Sequence, residues 1–253
     1  MQGGINVVLA PEQIATLWGI PVTNTLLMSW VVVALLVIIA VTMRSRLKMI
    51  PSRFQTLLEW LVAFVYDYVA ETLESRAMAR RFFPLLVTIF LFIFTSNLLE
   101  FTPGIGSLGV YRSWGGPFIP LLRSVNTDLN VTLTLAILSF LVIEVTGAVT
   151  IGVWRYGGKF VNFRGGAIGF FIGIVELFSE IARIISFSFR LFGNVFAGEV
   201  LILVVTYFLP FVGPVPFMAF EIFVGFVQAA IFALLTLFFI RIAIAEPHGE
   251  AAH

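Results

Sequence analysis

The sequence contains no cysteine. That excludes disulfides, thiol nucleophiles and the thiolate ligands of most zinc sites. Histidine is nearly absent as well: the only two, His248 and His253, lie in a polar C-terminal tail. An apolar interior without either residue gives no footing for a metal centre or for histidine-based acid–base catalysis, and no cofactor is expected. Charge is scarce. Of 253 residues only 11% are charged while 60% are hydrophobic, and the net charge is +1. Soluble domains carry about 25% charged residues, and a near-neutral chain lacks the basic surface that nucleic acid demands. The N-terminus has no basic stretch of the kind that opens a signal peptide.

What the chain has in abundance is uninterrupted apolar sequence. Segments 26–43, 82–99, 128–153, 167–209 and 216–243 are each long enough to cross a hydrocarbon layer about 30 Å thick. The expected fold is therefore all-α and polytopic, with five transmembrane helices. Residues 1–25, with Pro11 and Pro21, read as an extramembrane arm, and 26–253 as one membrane domain with a short tail. Segment 53–75 differs. Glu59, Asp67, Glu71 and Glu74 interrupt its apolar pattern, so an amphipathic helix lying in the interface fits better than a span. Segment 167–209 offers only Gly193 and Asn194 as a break, and two antiparallel spans need a turn. One long, strongly tilted helix is predicted there, followed by a second long helix at the C-terminal end.

Basic residues set the orientation. Arg44, Arg46, Lys48, Arg53, Arg76, Arg80 and Arg81 cluster in one connection, and Arg155, Lys159 and Arg164 in another on the same side. The opposite side has Arg112 and Arg123. The bias toward cytoplasmic Lys and Arg puts the N-terminus outside and the C-terminus inside.

The informative residues are the charges inside apolar helices: Asp128, Glu144, Glu176, Glu180, Arg183, Arg190, Glu199 and Glu221. On insertion scales each costs about 2.5–3.5 kcal/mol at mid-bilayer, so each must pair, line water or carry ions. Glu176, Arg183 and Arg190 recur every seven residues and share one helical stripe. Glu180 stands three residues before Arg183, where a local ion pair forms readily. Arg190 has no acid three or four positions away: Ser186, Phe187, Gly193 and Asn194 occupy those places. Its permanent charge needs a partner from elsewhere, either a static bridge to Glu221 or another span, or a group on a different protein. Glu199 lies about half a turn of the helix wheel away from Arg190, which suits two separate aqueous approaches rather than one continuous pore. Glu221 and Gln228, seven apart, form another stripe. Asp128 opens a span and is also a candidate N-cap. Glu144 is compatible with an inner access path or with a local ion pair or hydrogen bond.

These residues resemble subunit a of the F-type ATP synthases, of the bacterial kind. The segment RLFGNVFAGE from Arg190 to Glu199 resembles the family's signature around its essential arginine. Asp128-Leu-Asn-Val-Thr is similar to the start of one of its spans, and VQAAIFALLTLFF around Gln228 to its final helix. Glu176, fourteen residues before Arg190, also fits, and the likeness runs in order over residues 80–245. The resemblance implies a proton-translocating stator in the bacterial inner (plasma) membrane. Its partners would be a ring of c subunits and the b subunits of a peripheral stalk. Arg190 would be the residue on which the mechanism turns. Glu199, Glu221, Asp128, Asn194 and Gln228 would serve an outer half-channel, and Glu176 and Glu144 an inner one. Some family members carry histidine where this chain has Glu221, so their pH dependence does not transfer. Rival readings are a stand-alone channel or transporter, an intramembrane enzyme and a passive assembly subunit.

Overall fold

The computed structural model describes residues 11–17, 19–101, 108–111, 118–158 and 166–245. His248, His253, Arg112, Lys159, Arg164 and the first ten residues lie outside them. Seven helices are described: α1 (Asn24–Arg46), α2 (Arg53–Thr72), α3 (Arg76–Glu100), α4 (Leu129–Ile151), α5 (Val153–Gly157), α6 (Gly166–Phe208) and α7 (Pro214–Ile244). Five of them, α1, α3, α4, α6 and α7, are long and apolar enough to cross a membrane. The protein is thus an all-α, multi-pass membrane protein.

Local chemistry fixes the helix starts. The hydroxyls of Thr23, Ser52 and Ser75 accept from the backbone N–H three residues on, capping α1, α2 and α3. Asp128 caps α4 through its carboxylate. Gly152 ends α4 with φ of +98°, a backbone shape that disfavours a side chain, and the short α5 follows. As the sequence predicts, there is no break at Gly193. Where no water replaces a broken backbone hydrogen bond, the helix is held through glycine, and α6 runs unbroken for 43 residues. That is about 65 Å of helix at 1.5 Å per residue, about twice the hydrocarbon thickness, so α6 must lie steeply inclined.

Two elements differ from the sequence reading. Within the expected arm, β1 (Gln13–Leu17) pairs antiparallel with β2 (Ile20–Thr23), and α1 begins immediately after. In the Gly/Pro-rich connection, β3 (Gly109–Tyr111) pairs antiparallel with β4 (Phe118–Pro120). Helix α3 also starts at Arg76, earlier than hydropathy suggests, because Arg76, Arg80 and Arg81 extend a helix whose long side chains reach back to the interface.

The β3–β4 hairpin marks one end of the bundle, where α3 and α6 finish and α1, α4 and α7 begin. The opposite, basic end carries Arg44, Arg46, Arg76, Arg80, Arg81 and Arg155. There Val69 of α2 and Leu73, which caps its C-terminus, pack with Phe82 of α3 and Ile240 of α7, and Glu74 pairs with Arg241. The remainder of α2 exposes Phe54, Leu57, Trp60 and Phe64, as an interfacial helix should. Mid-bundle, Ile93, Ala136, Leu191 and Phe232 join α3, α4, α6 and α7.

Lipid tails are as apolar as leucine, so close packing and interhelical hydrogen bonds hold such a bundle together. Asn97 of α3 donates to the Gly225 carbonyl of α7 at 3.2 Å, and Thr132 of α4 meets Ser188 of α6 at 3.2 Å. Gly225 allows the first contact, since a Cβ there would fall 2.9 Å from Asn97 Cβ. Gly225→Val should force α3 and α7 apart and cost about 1–3 kcal/mol. Thermal unfolding of the detergent-purified protein checks this, and an unchanged midpoint would contradict it.

Candidate functional site

Most of the buried polar residues gather at the hairpin end. A small cavity there is lined by Asn97 and Glu100 of α3, Asn194 of α6, and Glu221 and Gly225 of α7. The loop before α4 bonds to these residues. Ser124 donates to Glu100 Oε2 at 2.8 Å, and Asn126 donates to Asn97 Oδ1 at 2.6 Å. Arg123 pairs with Glu199 of α6 at 3.4 Å. Four elements thus bring Glu199, Glu221 and Arg123 close enough for Glu100 to feel their charges.

Glycine again permits the approach. Glu221 is buried with its carboxyl against Gly198, where a Cβ would fall 2.5 Å from Glu221 Oε2. Any side chain at position 198 would displace the acid. Below the cavity the polar trail continues: Asn194 Nδ2 donates to Gln228 Oε1 at 3.5 Å. Gln228 is 4% exposed, and its Nε2 has no hydrogen-bond partner.

Arg190 stands one turn beyond Asn194, near the middle of α6, and it is exposed on the outside of the bundle. Its Nη2 donates to Ser186 Oγ at 3.2 Å. Among the described residues no carboxylate pairs with it. The static bridge to Glu221 is not formed, because Glu221 is turned inward against Gly198. Ser186, Asn194 and Ala197 share this exposed face, so short side chains flank the guanidinium along the helix. Phe189 and Ile185 stand exposed beside it. A large partner has room to approach there.

Other predicted residues are used differently. Asp128 accepts from the Asn130 N–H at 2.9 Å and from the Thr25 hydroxyl at 2.8 Å. Its carboxylate is occupied as a cap and as an α1–α4 tie, away from the cavity lining. Glu180 and Arg183 form the local pair that their spacing allows, at 2.6 Å, with Arg183 also 4.0 Å from the Phe239 ring centroid. This second guanidinium of the stripe is therefore satisfied within the chain. Glu144 and Glu176 lie half-buried on α4 and α6, nearer the basic end, and both are engaged by neighbouring groups.

The sequence reading passes over Glu100, Asn97 and Asn126, and takes Arg123 only as an orientation charge. A signal was present: Asn97 and Glu100, three apart on one face of an apolar helix, share a stripe that hydropathy alone discards as a helix end.

Fold and site together define a multi-pass α-helical membrane protein with a polar chamber at one end and an unpaired guanidinium on its mid-membrane flank. The family model described as ATP synthase A chain matches residues 26–241. Similar proteins include ATP synthase subunit a of Geotalea daltonii, 30% identical over 87% of each chain. Another is ATP synthase subunit a of Moorella thermoacetica, 29% identical over 91% of this chain and 94% of that one. That of Trichlorobacter lovleyi is 29% identical over 89% of both. This chain belongs to the ATP synthase A chain family, the membrane subunit a of the Fo sector.

The Glu180–Arg183 pair gives a direct test of the charge balance in α6. Glu180→Gln leaves Arg183 uncompensated in an apolar setting and should cost about 3 kcal/mol. The double variant with Arg183→Gln should recover much of that loss. Thermal stability of the purified protein reads both, and strict additivity of the two changes would contradict the pairing.

Proposed function

We propose that this chain is the proton-translocating stator of a rotary ATP synthase, meeting a ring of c subunits along the α6 face that carries Arg190. The observation that carries this reading is the exposed, carboxylate-free guanidinium midway along an apolar helix. Arginine stays protonated, and a charge at that depth costs at least about 2.5 kcal/mol without compensation. A passive assembly subunit has no use for it. A ring of carboxylates passing one at a time supplies the missing partner.

The charge then performs two tasks. It holds each ring carboxylate ionised while that group faces the stator, and it repels protons that would otherwise cross from one aqueous approach to the other. Only a protonated, neutral carboxyl leaves this face for lipid at tolerable cost. Rotation in one sense therefore requires protonation on one side of Arg190 and deprotonation on the other. The hairpin-end chamber, with Glu199, Glu221, Asn194 and Gln228, serves as the outer half-channel. Asp128 supports it from the neighbouring helix start. Glu176 and Glu144 serve the inner half-channel at the basic end, which the positive-inside bias assigns to the cytoplasm. The same reading gives the b subunits of the peripheral stalk as further partners and the bacterial plasma membrane as location. A stand-alone pore fits less well, because its charges would have to line one face throughout.

Two variants test this in the assembled complex reconstituted in vesicles. Arg190→Ala should cut proton-driven ATP synthesis at least about a hundredfold, the scale of losing a preorganised electrostatic group, with the complex still assembled. Arg190→Lys keeps a charge but loses the planar fork, and should also be severely impaired. Normal coupled synthesis by Arg190→Ala would defeat the proposal. Separately, Gly198→Val should displace the Glu221 carboxyl and lower the synthesis rate, while Gly193→Ala, with nothing within 4 Å of its Cβ position, should not.

A further inference from the structure

Glu100 closes α3 at the wall of the chamber. Its setting differs from that of Asp128, whose two oxygens both have hydrogen-bonded structural tasks. Glu100 accepts one neutral hydrogen bond, from Ser124 at 2.8 Å. Its other oxygen has no hydrogen-bond partner among the described residues. Glu100 lines the same cavity as Glu221 and Asn194. Arg123, Glu199 and Glu221 are the charged groups near enough to act on it electrostatically. Of these, the Glu199 side chain is 39% exposed at the edge of the cluster, while Glu221 is buried within it. Glu100 therefore belongs with both the open and the closed parts of the cluster.

Two further observations point to water here. Gln228 Nε2 and Asn126 Oδ1 are buried without a hydrogen-bond partner. Each belongs to an amide whose other end bonds a cavity-lining residue, Asn194 or Asn97. Buried amide groups left unpaired by protein are the usual anchors for a buried water. The cavity thus offers carboxyl oxygens at one side and amide groups at the other, ordered from the hairpin end toward Arg190.

We propose that Glu100 is a proton-transfer residue: it takes protons arriving past the Arg123–Glu199 pair and passes them to Glu221. This rests on the stator reading above. In each cycle an O–H bond forms on the Glu100 carboxylate as one breaks on an outer hydronium, leaving water. That O–H bond then breaks as one forms on Glu221, directly or through one water, and Glu100 returns to carboxylate. No electrons are exchanged and no other reactant is consumed. Ser124 positions the carboxyl, and Arg123 prevents Glu199 and Glu100 from repelling each other at full strength.

The test uses the whole complex in vesicles, with two readouts: ATP synthesis under an imposed proton gradient, and passive proton conductance of the membrane sector after removal of the soluble head. Glu100→Gln keeps shape and hydrogen bonding but cannot cycle a proton. It should lower both readouts about tenfold or more, in line with loss of a proton-transfer group. Glu100→Asp should recover most of the rate, and Ser124→Ala, which removes the positioning hydrogen bond but leaves a carboxyl that can cycle a proton, should lower both readouts less than Glu100→Gln does. Native rates in Glu100→Gln overturn the proposal. So does the opposite ordering, with Ser124→Ala as damaging as Glu100→Gln and no recovery by Asp, because that marks a structural role. Should Glu100→Gln fail to assemble, the comparison of Glu100→Asp with Ser124→Ala decides by the same ordering. Arg190→Ala run in parallel separates the two readings. If it is inactive while Glu100→Gln is native, only the Glu100 assignment falls; if it is active, the stator reading falls with it.

Discussion

A guanidinium that never loses its proton, placed on the apolar flank of a membrane helix with only a serine hydroxyl among the described residues to hold it, constrains everything around it. Arg190 cannot be neutralised by titration, as a lysine or glutamate in the same place would be. It also cannot reach Glu221, which Gly198 allows to lie inward. Among the described residues no carboxylate compensates it, and the proposed function takes its partner from a neighbouring protein. The contrast with Arg183 on the same helix is instructive. That residue has a buried glutamate at 2.6 Å and an aromatic face beside it, so its charge is settled internally. One helix therefore holds two arginines in opposite conditions, and only the unsettled one sits on the exposed face.

The rest of the bundle keeps acids away from that position while holding them close by. At the hairpin end, the amide pair Asn97–Asn126 and the hydroxyl of Ser124 tie α3 to the loop before α4. The carboxyl groups of Glu100 on α3 and Glu221 on α7 line one cavity. Small residues set the distances: Gly225 brings α3 and α7 together, and Gly198 brings α6 and α7 together. In a solvent that gives no hydrophobic reward for helix association, such close contacts and buried polar bonds hold the chamber in shape. In the proposed function the same groups would carry protons, so structure and function would draw on one set of side chains.

Much of this was legible in the sequence because lipid punishes charge so strongly. The five spans, the interfacial character of α2, the continuity of α6 and the singular position of Arg190 all follow from where charged residues interrupt apolar runs. The Glu180–Arg183 pair followed from helical spacing. The chamber did not follow so readily. Glu100 stands where an apolar run stops, and a carboxylate there reads as the end of a helix rather than as a wall of a cavity. Arg123 precedes α4 in a loop, and nothing local shows that it reaches Glu199, distant in sequence. The hairpins escaped notice because short strands leave no periodic trace among glycines and prolines. Asp128 was read both as a cap and as a channel residue. The bond from the Asn130 N–H shows the cap directly, and the bond from Thr25 ties α1 to α4.

The claim on which the account rests is that the Arg190 face of α6 meets the rotor. The chain has no native cysteine, so a single introduced cysteine gives a unique site for a short photo-activated cross-linker. Placed at Phe189 or Ala197, both on the exposed face beside Arg190, it should capture a c subunit in assembled complexes. Placed at Val37 on the exposed side of α1, it should not. Capture of c subunits from α1 but from neither α6 position would contradict the account.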